Sequence, residues 1–142
     1  MLQNWIRKRL LGVGLGLAFC CAAFAGCSVE EGNVTKVADI AYEIIEEDAL
    51  PEELAATIGE KQAADFKMTY EADDGLYIVR GYGEQATGGY SIRVKDCYLT
   101  SNAILFDTEL VGPRKGESVS ANPSYPFIVI KTEKLDRTVI FE

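Results

Sequence analysis

The sequence predicts a single, mainly β domain with one helix, arranged as a small β-sandwich or a barrel-like sheet; an immunoglobulin-like sandwich fits the same pattern. Short runs of β-branched and aromatic residues recur after residue 66, at intervals of roughly eight to twelve residues. Turn-forming Gly, Pro, Asn and Asp residues separate these runs. Only the stretch Leu50–Phe66 has the helical spacing of apolar residues. The length of 142 residues suits one such domain behind an N-terminal targeting segment.

The N-terminal segment has the pattern of a secretory signal. Three basic residues at positions 7–9 precede Leu10–Gly26, an uncharged and largely apolar run of 17 residues. The run ends in Phe-Ala-Gly before Cys27, which resembles the lipobox of bacterial lipoproteins. We therefore expect cleavage after residue 26 and acylation of Cys27, a tether over residues 27–35 and a folded domain over residues 36–142. The alternative is a transmembrane anchor that is retained, although the run is short for a membrane span.

The charge excludes two classes of partner. The chain has a net charge of −8, and removal of the first 26 residues takes away three of the 14 basic residues and none of the 22 acidic ones. The mature chain would then carry a net charge of −11. Nucleic acids and anionic lipid head groups both require clustered Lys and Arg. We expect no nucleic-acid partner, and membrane attachment through lipid on Cys27 at the extracytoplasmic face of the cell membrane.

The first half of the domain is predicted to hold a strand and then the helix. Apolar residues alternate within Val37–Glu47, which predicts one strand. Pro51 suits the first position of a helix, and Leu54 and Ile58 are four residues apart on one helix face. The helix should begin near Pro51 and end between residues 59 and 64.

The stretch Leu76–Val94 predicts a β-hairpin. The strand Leu76–Tyr82 is followed by the glycine-rich Gly83–Gly89 and then by Tyr90, from which apolar residues alternate with polar ones. The link is either an ordinary loop or a place where Gly88 and Gly89 let a partner approach the backbone, with Tyr90 as an anchor beside it.

The remaining strands are predicted over Lys67–Glu71, Ala103–Leu110, Pro126–Lys131 and Thr138–Phe141, with Asp96–Leu99 extending an earlier strand past an irregularity. Residues 126–131 are apolar on both faces, which indicates a central strand covered on both sides. No clear period marks residues 111–124. The predicted core consists of Ile92, Val94, Ile128, Val129, Ile130 and Val139, with Phe127 or Phe141.

The composition argues against catalysis. The chain has no histidine, so it cannot hold a Ser-His-Asp or Cys-His site of its own. Cys97 is the only thiol after Cys27, and we expect it to be buried and inert. The adjacent carboxylates Asp73-Asp74 and Glu46-Glu47 are typical of solvated turns and edges rather than of acid–base catalysis. Asp73-Asp74 also lacks the spaced oxygen ligands of known Ca²⁺ loops. We expect no enzyme, no cofactor and no metal; a carboxylate-based enzyme acting on an envelope polymer remains the alternative.

Two motifs carry a family resemblance. The segments Ala86-Thr87-Gly88-Gly89-Tyr90 and Tyr125-Pro126-Phe127-Ile128-Val129-Ile130-Lys131 resemble the PrcB-type protease-complex subunit domain over about residues 67–142. That family usually has proline where this chain has Ala86. The resemblance implies a small all-β domain in a surface lipoprotein that associates with, or stabilises, an extracytoplasmic protease. A fainter similarity, to chagasin-type inhibitors of cysteine proteases, matches only at Thr87, Gly89, Tyr90 and Pro126.

These motifs define the predicted binding surface. We expect a protease, or another cell-surface protein, to contact an edge formed by Gln85, Thr87, Gly88, Gly89, Tyr90, Tyr125 and Pro126. Exposed tyrosines are frequent anchors in protein interfaces. The alternative is that Tyr90 is only the first inward residue of its strand. The next candidate surface is Val111–Ser124, which carries the basic pair Arg114-Lys115.

Overall fold

Two four-stranded sheets and one α-helix make up residues 35–142, the part of the chain that the computed structural model describes. The predicted signal segment, Cys27 and the tether as far as residue 34 lie outside the described residues. The elements are β1 (Ala38–Asp39), β2 (Tyr42–Ile44), a 3-10 turn (Glu47–Ala49), α1 (Glu52–Lys61), β3 (Asp65–Ala72), β4 (Gly75–Tyr82), β5 (Ser91–Leu99), β6 (Ala103–Val111), β7 (Phe127–Thr132) and β8 (Thr138–Phe141).

The first sheet has the strand order β1-β5-β6-β8, and the second has the order β2-β7-β4-β3. All neighbouring strands are antiparallel except β6 and β8, which are parallel. The sheets face each other, because Leu76 and Ile78 of the second sheet form one buried cluster with Ile104 and Phe106 of the first. The described residues therefore form a sandwich, as predicted, and not a closed barrel.

The strand β7 is central in its sheet and is covered on both faces, as its sequence predicts. It lies between β2 and β4. Ile128 and Ile130 belong to the cluster between the sheets, whereas Val129 belongs to a second cluster with Leu54 and Ile58 of α1. The predicted core residues Ile128, Val129 and Ile130 are buried, while the others are partly buried and pack against these clusters: Ile92, Val94, Val139, Phe127 and Phe141.

The helix α1 covers the outer face of the second sheet. It begins directly after Pro51 and ends at Lys61, within the predicted limits. Leu54 and Ile58 are buried, so the four-residue spacing marks the face that packs on the sheet. Within residues 35–142 no helix has the length and apolar character needed to cross a membrane.

The predicted hairpin over Leu76–Val94 is wrong, because its two strands lie in different sheets. β4 pairs with β3 through the two-residue turn Asp73-Asp74, and on its other side with β7. β5 pairs with β1 and β6. Both edges of β4 are thus occupied inside the second sheet, and the glycine-rich segment after it crosses to the first sheet.

The single strand predicted over Val37–Glu47 is also wrong. β1 pairs with β5 of the first sheet, and β2 pairs with β7 of the second. Ile40 lies between them and is 8% exposed, whereas Tyr42 and Ile44 are 40% and 56% exposed. The alternating pattern here marks a change of sheet at Ile40, not one continuous strand.

The antiparallel pairing defines two ends of the sandwich. β5 and β6 form a hairpin whose register shifts between Val94 and Asp96, the predicted irregularity. Its turn contains Asn102, and Asp73-Asp74 lies at the same end, which we call the turn end. The opposite end carries residues 83–90 and 112–126, and we call it the loop end.

Candidate functional site

The two predicted motif segments lie side by side at the loop end. Gln85 and Ser124 exchange backbone hydrogen bonds of 2.8 and 3.0 Å. The Gly88 N–H donates to the Ser120 carbonyl at 2.9 Å, and the Ser124 hydroxyl donates to the Thr87 carbonyl at 2.6 Å. Residues 83–90 and 120–126 therefore form one hydrogen-bonded loop pair.

The glycines in this loop permit a close approach by the chain itself. Gly89 has a φ of +86°, and a Cβ there would lie 2.4 Å from Cγ1 of Val119 and 3.0 Å from Cβ of Pro113. A Cβ on Gly88 would lie 3.3 Å from Cβ of Ser120. The space that glycine leaves open is filled by residues 113–120, and contact of a partner with Gly88 and Gly89 stays a prediction.

The exit of β4 holds the start of the loop in place. The Arg80 guanidinium is bound to the Asp65 carboxylate at 2.9 and 3.3 Å and lies 4.0 Å from the centroid of the Tyr82 ring. The Tyr82 hydroxyl forms a 2.6 Å hydrogen bond with the Thr108 hydroxyl of the first sheet. Gly83, at a φ of +75°, then turns the chain. These contacts join both sheets just before the motif begins and tie the start of the loop to each of them.

Tyr125 is the exposed aromatic residue of the site. Its side chain is 39% exposed, and its hydroxyl donates to Oε1 of Glu84 at 3.2 Å. This hydrogen bond to a carboxylate raises the pKa of Tyr125. The neighbouring Pro126 carbonyl accepts the Tyr82 N–H at 3.1 Å, so the backbone that carries Tyr125 is tied to β4. The exposed Tyr125 ring is therefore carried by hydrogen-bonded main chain.

Among the other predicted contact residues, two side chains already form hydrogen bonds within the loop. Gln85 Nε2 donates to the Tyr82 carbonyl at 3.1 Å, and the Thr87 hydroxyl donates to the Gly88 carbonyl at 3.0 Å. Tyr90 is half-buried just before β5, in phase with the partly buried Ile92 and Val94. Glu84 and Ala86 carry the exposed side chains of residues 83–90.

A groove that the sequence did not indicate continues from Tyr125 and Pro126. It has a volume of about 320 Å³ and runs between the end of β2 and the start of β7. Its other lining residues are Ile44, Ile45, Glu46, Glu47, Phe127, Ile128 and Val129. The apolar Ile44 at the end of an alternating run is the signal that could have pointed to the groove, but the exposure of Ile44 depends on where β2 stops.

The basic pair Arg114-Lys115 lies in an exposed turn of the same long loop. The Glu117 N–H donates to the Arg114 carbonyl, and the Arg114 N–H donates to Oε2 of Glu117, both at 2.9 Å. Gly116 completes the turn with a φ of +84°. Both basic side chains remain exposed to solvent.

The titratable groups of the described residues include a shielded thiol and a surface ion pair. Residues 35–142 contain no group of three or more His, Cys, Asp or Glu side chains that could hold a metal ion. Burial raises the pKa of the half-buried Cys97 to about 11, which disfavours the reactive thiolate. Lys131 donates to Asp74 at 2.7 Å and lowers the pKa of that carboxyl. The predicted carboxylate pair at residues 73–74 is thus partly used in a surface ion pair.

The comparison with known families concerns the segment that contains both loops. Residues 76–133 match the family model described as PrcB C-terminal. The PrcB C-terminal match runs from the start of β4 to just past the end of β7 and confirms the resemblance over a shorter stretch than the predicted 67–142. No curated protein and no solved structure matches the chain significantly.

Proposed function

We propose that this chain is a non-enzymatic, lipid-anchored subunit that associates with an extracytoplasmic protease through the loop end of its PrcB C-terminal region. The observation that supports this function most strongly is the pairing of Gln85 with Ser124. That pairing brings both motif segments, which are 39 positions apart, onto one surface with Tyr125 exposed beside them. The PrcB C-terminal match supports a role in a protease complex.

The residue composition of the chain supports a binding role rather than a catalytic one. Its sequence lacks the histidine that most nucleophilic hydrolases need. The excess of acidic residues keeps the domain soluble and away from anionic membrane surfaces, so the proposed lipid on Cys27 would provide the attachment. Such an anchor would hold the loop end within reach of a protease at the same membrane.

The test uses the full-length tagged chain in cell membranes. Ala86→Arg places a bulky side chain at an exposed loop position without removing a hydrogen bond. Ser101→Arg is the matched control in the β5–β6 turn at the turn end, where the native residue is also exposed. After detergent solubilisation, we expect mass spectrometry to find a protease with the wild-type and Ser101→Arg chains, and roughly tenfold less of it with Ala86→Arg.

Recovery of the same amount of protease with all three chains would exclude the loop end from the interface. The activity of the recovered protease separates the two kinds of association. An active protease indicates a stabilising or localising subunit, whereas an inactive one indicates an inhibitor.

A further inference from the structure

The strand β2 ends before it has covered the whole of β7. β2 pairs with residues 130–132 of β7, and the Ile45 N–H still donates to the Val129 carbonyl at 2.9 Å. The chain then turns away into the 3-10 turn Glu47–Ala49. Along residues 125–128, the described part of the chain places no strand on this side of β7.

The backbone of Phe127 faces this uncovered side. The Pro126 carbonyl accepts the Tyr82 N–H on the β4 side of the strand. Backbone groups of successive residues in an antiparallel strand point alternately to its two neighbours. The N–H and C=O of Phe127 therefore point away from β4, and within residues 35–142 they have no backbone partner on that side. An unpaired strand edge of this kind is a template for one more strand.

The groove beside this edge combines apolar surface with negative charge. Ile44 is 56% exposed and Tyr125 is 39% exposed. Two carboxylates, Glu46 and Glu47, line the groove, and its lining among the described residues includes no Lys or Arg. The Glu84 carboxylate lies beside it, bound to Tyr125. The surface thus favours apolar side chains accompanied by cationic ones.

We propose that this groove binds an extended segment of a partner protein, containing apolar residues together with Lys or Arg, as an additional strand on the free edge of β7. Backbone hydrogen bonds to Phe127 would supply affinity, apolar side chains of the segment would contact Ile44 or Tyr125, and its cationic side chains would pair with Glu46 and Glu47. The inference rests on the proposed function in that the partner protein is the protease or a subunit bound to it.

Charge disfavours the other occupants. A second copy of this chain would bring its own Glu46 and Glu47 to the same edge. The segment of residues 28–33 carries Glu30 and Glu31 and no basic residue, so it would also place like charges together. Like charges facing each other across a strand pair are destabilising.

Three synthetic nonapeptides test the proposal on the full-length, isotope-labelled chain in neutral detergent micelles. The first alternates valine with lysine, the second replaces lysine with glutamate, and the third is the lysine peptide with alternate backbone nitrogens methylated. We expect the lysine peptide to shift the NMR amide signals of Tyr125 and Phe127. At low salt its affinity should be at least about tenfold higher than that of the other two peptides.

Charge reversal supplies the matched variants. The double variant Glu46→Lys with Glu47→Lys should lower the affinity for the lysine peptide roughly tenfold, with an unchanged thermal midpoint of unfolding. Glu71→Lys with Asp136→Lys, at exposed positions outside the groove lining, should leave its affinity unchanged. The proposal is overturned if the lysine peptide does not bind, if it binds equally to both double variants, or if the methylated or glutamate peptide binds as well.

The outcomes also separate this inference from the proposed function. If the peptide experiment fails but a protease is still recovered from membranes, the groove inference is overturned and the proposed function stands. Peptide binding with no protease recovered would support the groove as a binding site and contradict the proposed association with a protease.

Discussion

Adding one methyl group at Gly89 should destabilise the docking of residues 113–120 against the motif loop. Gly89 and Gly116 have nearly the same φ, +86° and +84°. An alanine in this left-handed region costs about 1–2 kcal/mol at either position. At Gly89 the new Cβ would also lie 2.4 Å from Cγ1 of Val119, whereas at Gly116 it meets nothing within 4 Å. Overpacking costs about 1–3 kcal/mol more, so Gly89→Ala should cost roughly 2–5 kcal/mol in total.

Urea denaturation of the wild-type, Gly89→Ala and Gly116→Ala chains measures the two costs. Hydrogen exchange of the Gly88 N–H, which donates to Ser120, shows whether the loss is local to the loop pair. We expect Gly89→Ala to lose more unfolding free energy than Gly116→Ala, or to lose protection at Gly88 that Gly116→Ala keeps. Equal unfolding free energies with equal protection would refute the packing of Val119 on Gly89.

Three further outcomes are expected. Ile130→Ala should lower the unfolding free energy by about 2–5 kcal/mol, and Ile44→Ala by less than about 1 kcal/mol, because Ile130 is fully buried and Ile44 is 56% exposed; similar losses in urea titrations would contradict the assignment of β7 as central. Because the pKa of Cys97 is raised from 9.0 to about 11, iodoacetamide should alkylate it at pH 8 roughly tenfold more slowly than a free cysteine, and stability should fall as pH rises from 9 to 11, where the unfolded thiol ionises first. Mass spectrometry of the membrane-extracted chain should show an acylated Cys27 at the N-terminus, and an intact Met1 on most molecules would contradict lipidation.

The parts of the fold that could be predicted depend on local patterns. Pro51 and the four-residue spacing of Leu54 and Ile58 locate α1, because helix starts and faces are set within one or two turns. The apolar residues on both faces of β7 predict a central strand because this pattern, too, is contained in a few consecutive residues. Strand partners are different, since alternation tells which face is buried but not which strand lies alongside. The sequence therefore could not show that β4 and β5 separate or that the chain changes sheet at Ile40.

For the candidate site, too, the local motifs could be predicted and the long-range packing could not. The motifs located the two loops, and Gly88-Gly89 indicated a close approach to the backbone. That the approaching group is Val119 could not be read, because it comes from a loop without regular period 30 positions away. The groove depends on the point at which β2 stops, and this is decided by the 3-10 turn at Glu47–Ala49, not by the apolar pattern.

Site-specific photocrosslinking in intact membranes tests most directly the claim that the loop end contacts a protease. A photoreactive residue replaces Ala86 at the loop end in one chain and Asn102 at the turn end in another; both native residues are exposed. We predict an adduct from position 86 whose second component is a protease by mass spectrometry, and none from position 102. Adducts from position 102 alone, adducts with proteins other than a protease, or no adduct from either position would contradict the proposed function.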